Sequence, residues 1–145
     1  MKYIFLAGIT TFTLCTQANA QNFADVHLTH ITPIKEEATW LREKQFSPMY
    51  PKELAMKGIA GCGVFKIFVD EDGNTDSVDL ISAVPKRDIA KPAAKVIKSW
   101  TWLNAKGTAN IAEEKIIRLD FCMGGATQEE AKQRCIAQSL VACEG

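Results

Sequence analysis

The chain has 145 residues, 17 of them basic and 17 acidic, so its formal charge at pH 7 is zero. Without a positive balance or a long basic run, it is a poor candidate for binding nucleic acid or an acidic membrane surface. Its length suffices for one modest hydrophobic core, and we expect one small domain after the N-terminal segment.

Residues 1–20 have the pattern of a cleavable secretory signal peptide. Lys2 precedes the short apolar run Tyr3–Leu14, and the segment ends in Ala18-Asn19-Ala20. This order is typical of exported proteins, and the run is shorter than the ~20 residues of a membrane-spanning helix. Cys15 raises the alternative of a lipoprotein signal, although a leucine precedes it where such signals have a small residue. The sequence therefore predicts a periplasmic protein without a transmembrane anchor.

Residues 21–46 are predicted to form an N-terminal arm and a short helix. His27 and His30 have His-x-x-His spacing, but no third or fourth ligand at metal-site spacing accompanies them. We therefore expect surface histidines in a strand or extended arm, and no metal. Pro33, with two glutamates after it, is typical of the first turn of a helix.

A short helix and a β-hairpin are predicted next. Pro51 fits the first position of the helix, and Gly58 fits a left-handed cap at its end. From Gly61 to Val69 apolar residues recur with a period of two, which indicates a strand. The segment Glu71–Asn74 supplies Asp-Gly and Gly-Asn turn chemistry, so the chain reverses there into a second strand that ends near Ser82.

A long helix and a third strand complete the predicted elements. An apolar stripe marks the helix, and because Pro92 should lie in the first turn, we expect it to start near Ala90. The third strand lies within residues 111–122. The stripe is formed by Ile89, Ala93, Val96, Ile97 and Trp100.

These elements predict an α+β fold with a three-stranded antiparallel sheet. The second strand, the long helix and the third strand form a crossover, which gives the strand order second-first-third and places both helices on one face. The third strand is then a free edge of the sheet, which is either an aggregation hazard or a docking site for a partner strand. The predicted inner set is Phe65, Ile67, Val69, Val78, Leu80, Ile117, Leu119 and Phe121.

Residues 123–145 are predicted to be a disulfide-linked helical tail. An even number of cysteines follows the signal segment, which in an exported chain suggests disulfides. The capping box Thr127–Glu130 predicts a helix over about 128–142. The four cysteines are Cys62, Cys122, Cys135 and Cys143.

Two disulfide arrangements remain open. In one, Cys62 bonds Cys122 and the helix breaks to join Cys135 to Cys143, because a continuous helix would separate those two by about 12 Å. In the other, the tail helix docks on the outer face of the sheet and each of its cysteines bonds one strand cysteine. Neither a zinc site nor a redox site is favoured, since the chain has no Cys-x-x-Cys pair.

Residues 47–122 contain an ordered set of motifs, which are Tyr50-Pro51, Ala55, Gly61, the strand to Val69, Asp70, Asp72-Gly73, Val78, Ser82, Pro85, Ala93-Ala94 and Trp100-x-Trp102. In this order they resemble the TonB C-terminal domain family. The resemblance implies a periplasmic domain with a three-stranded sheet and two helices, involved in TonB-dependent transmembrane transport. Members of that family bind the N-terminal Ton-box peptide of outer-membrane transporters by strand addition at the third strand.

The resemblance implies a set of partner-binding residues. We expect a non-enzymatic binding module without a cofactor, because no nucleophile, base and orienting residue form a convincing set. The alternative is a structural periplasmic protein, such as a homodimer, that keeps the fold without binding a Ton box. The implied partner-binding residues are Ile116, Ile117, Arg118, Leu119, Asp120, Phe121, Tyr50 and Pro51.

Three features depart from the family pattern. No spanning anchor or Pro-rich segment precedes the domain in this sequence. Leu103-Asn104-Ala105 follows the tryptophans where relatives tend to have a proline. The four cysteines and the tail are additions, and a tail folded over the third-strand edge would block strand addition there.

Overall fold

The computed structural model of the protein describes residues 23–44 and 46–144. The signal peptide predicted at residues 1–20 lies outside this part of the chain. The described elements, in chain order, are β1 (Ala24–Thr32), β2 (Trp40–Arg42), α1 (Lys52–Lys57), β3 (Gly61–Val69), β4 (Thr75–Val84), α2 (Lys86–Lys98), β5 (Trp102–Asn104), β6 (Glu113–Met123) and α3 (Gln128–Ser139).

The main sheet is antiparallel, with the strand order β1-β6-β3-β4. The three strands predicted from the sequence are β3, β4 and β6, and their neighbours are as expected. The prediction of three strands is wrong, however, because β1 pairs with β6 and adds a fourth. A separate two-stranded ribbon joins β2 to β5.

The hydrophobic core lies between the sheet and the helices α1 and α2. Helix α2 contributes Ile89, Ala93 and Ile97, which are all fully buried. The inner residues predicted on β3 and β6 are also fully buried, whereas Val78 and Leu80 of β4 are partly buried and pack against the core. The strand periodicity therefore identified the inner face of the sheet.

The helix starts and ends follow the predicted chemistry only in part. Helix α1 ends as predicted at Gly58, whose φ of 64° is the left-handed conformation that glycine adopts without steric cost. Helix α2 begins at Lys86, four residues before the predicted Ala90, so Pro92 lies inside the helix. The buried side chains on both sides of Pro92 hold the helix together despite its missing amide.

The prediction of a helix near Pro33 is wrong, because the described chain has no helix between β1 and β2. The amides of Glu37 and Ala38 both donate to the carbonyl of Ile34, which makes one turn, and the chain then extends into β2. The cause is distant in sequence, because β2 pairs with β5 about sixty residues later, from Trp40↔Asn104 to Arg42↔Trp102.

Helix α3 covers part of the opposite face of the sheet, over β1 and β6. Thr127 caps the helix as predicted, since the Glu130 amide donates to Thr127 Oγ1 (3.1 Å), while the Glu130 carboxylate accepts from the Ala126 amide (2.7 Å), one residue before the cap. Disulfides join Cys62 to Cys143 and Cys122 to Cys135. This is the second arrangement considered above, in which each tail cysteine bonds one strand cysteine.

Candidate functional site

Strand β6, expected to be a free edge, lies inside the sheet. β1 pairs with it from Ala24↔Met123 to Thr32↔Ile116. The expectation was wrong because β1 extends the apolar inner face, with Val26 opposite Phe121 and only 2% exposed. A strand that paired directly with β6 would first have to displace β1.

The predicted partner-binding residues of β6 divide between the two faces of the sheet. Ile117, Leu119 and Phe121 are fully buried core residues. Ile116 is half-buried, and Arg118 and Asp120 are buried. β1 and β3 flank all six, so their assignment to partner binding stays a prediction.

Arg118 holds the C-terminal end of α3 instead of facing solvent. Its guanidinium donates to both carboxylate oxygens of Asp120, each at 2.8 Å. The same group donates to the carbonyls of Gln138 (2.9 Å) and Val141 (2.6 Å). A cation beside the carbonyls at the C-terminus of a helix is favourable, because the helix dipole is negative there. Arg118 therefore has a structural role in joining β6 to the end of α3.

Tyr50 and Pro51 position α1 against the core. The Tyr50 hydroxyl donates to the Ile59 carbonyl (2.7 Å), and its ring meets Phe121 edge-on with centroids 5.6 Å apart. Burial raises the pKa of Tyr50 to about 12. Pro51 is buried at the cap before α1. These contacts account for both residues without a partner, and their binding role stays a prediction.

Helix α3 holds only the N-terminal half of β1. Gln128 Nε2 donates to the Ala24 carbonyl (3.1 Å), and Asp25 beside it is buried. From Leu28 onward the strand is half-buried or exposed, with Ile31 41% exposed. The C-terminal half of β1 is therefore the accessible part of this edge.

The outer edge of that half has backbone groups directed away from the sheet. The bond from the Gly124 amide to the Phe23 carbonyl (2.9 Å) identifies a hydrogen-bonded pair at the start of the β1–β6 ladder. Because such pairs alternate with non-bonded ones, the N–H and C=O groups of Leu28 and His30 point away from β6. Within the described residues, no loop or turn backbone group forms a hydrogen bond with the N–H or C=O of Leu28 or His30.

A cavity of about 180 Å³ lies beside this edge. Strand β1 forms one wall, and the chain around β2 forms the other. The lining residues are Val26, His27, Leu28, His30, Lys35, Leu41, Arg42, Lys44, Phe46, Ser47 and Pro48.

The electrostatics of the cavity are basic. Lys35, Arg42 and Lys44 line it, and none of the lining residues is acidic. The Arg42 guanidinium lies 5.1 Å from the centroid of the Trp100 ring and donates to the Phe46 carbonyl. Burial, followed by the nearby positive charge of Lys115, lowers the pKa of His30 to about 4, so this imidazole is neutral at pH 7.

A buried ion pair fixes the ribbon that forms the far wall. The Glu113 carboxylate accepts from Lys115 Nζ (2.7 Å) and from the amides of Thr39 (2.9 Å) and Trp40 (3.2 Å). Burial raises the pKa of Glu113, but these three hydrogen bonds outweigh it, and the pKa is lowered overall. Lys115 is fully buried, with Nζ 5.7 Å from the Trp102 ring centroid.

Sequence reasoning missed this pair, although one signal was present. Lys115 stands two residues before Ile117, so alternation places it on the inner face, where a lysine needs a partner charge.

Among the described residues, no three or more His, Cys, Asp or Glu side chains lie together as a metal site. By register, His27 lies opposite Asp120 and His30 opposite Ile117. No helix within residues 23–44 and 46–144 has both the length and the apolar character needed to cross a membrane.

Comparisons with known proteins relate to the central part of the chain. The family described as Gram-negative bacterial TonB protein C-terminal matches residues 47–122. The solution NMR structure of the Pseudomonas aeruginosa TonB C-terminal domain is 16% identical, with a TM-score of 0.43. That match covers 63% of this chain and 90% of the other. A search of curated proteins gives no significant match.

Proposed function

This chain belongs to the TonB C-terminal family, and from that membership we propose that it binds a protein or peptide partner by strand addition at the outer edge of β1. The family is a periplasmic protein-interaction domain of Gram-negative bacteria, and it takes part in TonB-dependent transport through contacts with outer-membrane transporters. The partner proposed for this chain is a Ton-box-like segment of such a transporter.

The observation that carries the proposal is the open half of β1. β1 occupies the edge of β6 that the family resemblance assigns to the partner, so the sheet on that side now ends one strand further out. The outward backbone groups of Leu28 and His30 supply the hydrogen bonds that an added strand requires.

Direct pairing with Ile116–Phe121 is the competing route and requires exchange of β1. That exchange would expose Val26, which alone costs about 1.5–3 kcal/mol, and would break the β1–β6 ladder. It would also release Ala24 from the tail helix. Addition to β1 has none of these costs and is therefore the favoured route.

Replacing Leu28 with proline tests the proposal at one backbone group. The Leu28 amide points away from β6, so proline removes the outward donor and keeps the β1–β6 ladder. Leu28→Ala is the matched control, because it removes the same side chain but keeps the amide. We expect about tenfold weaker binding of a synthetic Ton-box peptide by Leu28→Pro than by Leu28→Ala, since one hydrogen bond and access to the edge are lost.

Isothermal titration on the oxidised chain measures this difference, and amide NMR spectra check that both variants keep the β1–β6 ladder. Equal affinities for the two folded variants would rule out the outer edge of β1 as the binding site.

Self-association is a second candidate function, favoured by a different observation. Large apolar residues remain exposed where α3 leaves the outer side of the sheet uncovered and at the end of the tail. Such exposed apolar residues are typical of an interface when they form one patch. Sedimentation of the oxidised and reduced chain tests this candidate, and a monomer at all concentrations would exclude it. The residues are Phe68, Ile81, Leu140 and Val141.

A further inference from the structure

A strong excess of positive charge lies on the two helices that cover the core. Helices α1 and α2 together have seven basic and two acidic side chains, a formal charge of +5. Because the whole chain has a formal charge of zero, the remaining residues have a formal charge of −5. The overall neutrality that disfavours an acidic membrane surface therefore conceals a basic helical side of the domain.

The basic residues of α2 form one stripe on its solvent side. Arg87, Lys91 and Lys95 recur every four residues, opposite the buried residues of the helix, and all three are exposed. None of the salt bridges in the described part of the chain involves them. Lys98 continues the stripe but donates to the Asp76 carbonyl. Three cations of α2 thus face solvent without an ion-pair partner.

Helix α1 extends this basic surface across a groove between the two helices. Lys57 lines the groove together with the three cations of α2. Glu53 and Asp88 line it as well, so four cations face two carboxylates there. The groove therefore keeps a surplus of positive charge, which favours an anionic partner.

Large apolar side chains are exposed on the same side of the domain. Met56 lies on α1 opposite the buried Leu54 and is 78% exposed, so it is directed away from the core, as the cations of α2 are. Met49, which is 76% exposed, lines a cavity with Val96 of α2. Exposed apolar side chains among cations are typical of a surface that lies on a lipid bilayer, where both kinds of group are stabilised.

We propose that this side of the domain binds reversibly to the surface of a bilayer that contains anionic phospholipids. The cations interact with the lipid phosphates, and the two methionines insert at the level of the headgroups. We call this surface the helical face, and its residues are Met49, Met56, Lys57, Arg87, Lys91 and Lys95.

This interaction goes beyond the proposed strand addition and is compatible with it. No residue of the helical face belongs to β1 or lines the cavity beside that strand. A domain that lies on a membrane by its helices would therefore keep the outer edge of β1 accessible to a partner strand.

Co-sedimentation with lipid vesicles tests the helical face. The oxidised chain from residue 21 onward, the form expected after removal of the predicted signal peptide, is titrated at low salt with two kinds of vesicle. One is pure phosphatidylcholine, and the other is phosphatidylcholine mixed with phosphatidylglycerol. We expect at least about tenfold tighter binding to the anionic vesicles, and the preference should weaken at high salt.

Two pairs of lysine substitutions separate the helical face from net charge. Lys91→Gln/Lys95→Gln should weaken binding to the anionic vesicles by at least about tenfold, because two cations near the lipid surface are lost. Lys66→Gln/Lys132→Gln is the matched control, since it removes the same charge from exposed lysines on β3 and α3, and it should keep the affinity within about twofold. Amide NMR spectra check that both variants are folded.

A methionine variant separates a bilayer from other anionic partners. Met49→Ser/Met56→Ser should weaken binding to the anionic vesicles by about fivefold, because the inserted apolar surface is lost. It should not change binding to dextran sulfate, a soluble polyanion without an apolar phase.

Three results would overturn the inference. Equal losses for the two lysine pairs would assign the binding to net charge instead of the helical face. Full vesicle binding by the methionine variant would assign the face to a polar polyanion. Equal binding to both kinds of vesicle would reject the anionic-lipid site, and it would leave strand addition untouched, since that is measured separately with the Ton-box peptide.

Discussion

Strand β6 has two buried ion pairs, and each holds a different addition to the sheet. Arg118 and Asp120 hold the end of α3, whereas Glu113 and Lys115 hold the ribbon of β2 and β5. In each pair, the two partners are two residues apart on β6. The difference is that two disulfides also tie the tail to the sheet, one from Cys135 in α3 and one from Cys143 after it, whereas neither of these disulfides reaches the ribbon.

This contrast indicates how the two sides of the proposed binding edge are controlled. The disulfide-tied side holds the N-terminal half of β1 through Gln128 and Ala24. The ribbon side forms the far wall of the basic cavity. We therefore expect redox conditions to act on β1 through α3, and charge changes at Glu113 to act on the cavity through the ribbon.

Removing the Cys62–Cys143 disulfide should have the largest effect on this comparison. The bond spans 81 residues, and the chain-entropy relation then gives a loss of about 4.5 kcal/mol in the free energy of unfolding. The Cys122–Cys135 bond spans 13 residues and should contribute about 3 kcal/mol. Urea denaturation of the two double Cys→Ala variants measures both values. A larger loss for the shorter bond would contradict this order.

Glu113→Ala should come next, with a loss of about 3 kcal/mol, because it leaves the fully buried Lys115 without its partner charge. It also leaves the Thr39 and Trp40 amides without an acceptor. The neighbouring Glu114→Ala is the matched control, since its pair with Lys66 is exposed and should be worth less than about 1 kcal/mol. Similar losses for both variants would mean that the Glu113 network does not hold the ribbon.

Arg118→Met should lower the free energy of unfolding by about 2 kcal/mol, because the buried Asp120 carboxylate then keeps only the Gln138 side-chain amide as a donor. In the oxidised chain the disulfides should keep α3 in place, so amide exchange in α3 should change little. The same substitution in the Cys62→Ala/Cys143→Ala background should speed exchange at the end of α3. Release of α3 in the oxidised variant would show that the ion pair, rather than the disulfides, holds it.

At pH 7 the smallest effect is expected from His30, whose contribution is a pH dependence below neutrality. Its pKa in the folded chain is lowered to about 4, so the unfolded chain binds more protons between pH 6.5 and 4. The free energy of unfolding is therefore highest above pH 6.5 and falls progressively as the pH drops from 6.5 to 4. Lys115 and Lys35 lower this pKa, and Glu113 and Glu36 oppose them.

His30→Gln should flatten the stability curve in this range, whereas His27→Gln on the opposite side of β1 serves as the control. Thermal unfolding at several pH values measures the difference. An unchanged slope in His30→Gln would assign the pH dependence to other groups.

The sequence predicted the elements that depend on local patterns. Alternation identified β3 and β6, and Gly58 marked the end of α1. The early start of α2 was missed because Pro92 was expected to limit it, whereas tertiary burial of Ile89 and Ala93 maintains the helix through the proline. In α2, the burial of apolar side chains therefore outweighs the local tendency of Pro92 to start or break a helix.

The features of the candidate site were harder to predict because they depend on distant partners. The 21–46 arm was expected to be a strand or extended segment near its histidines, but nothing local specified that β1 would pair with β6 about ninety residues away. Alternation from Ile117 places Lys115 on the inner face, but nothing near it in sequence shows how a buried lysine would be accommodated there. Its burial follows only when Glu113, Trp40 and Trp102 are brought around it.

We propose that β1 is the docking edge and remains paired with β6 during binding. Amide hydrogen exchange of the oxidised chain, with and without a synthetic Ton-box peptide, distinguishes this mode of binding from displacement of β1. We expect slower exchange at Leu28 and His30, with the β6-bonded amides of His27 and Thr29 unchanged. Faster exchange at His27 and Thr29 on peptide binding would contradict it, since that result means that the peptide displaces β1 from β6.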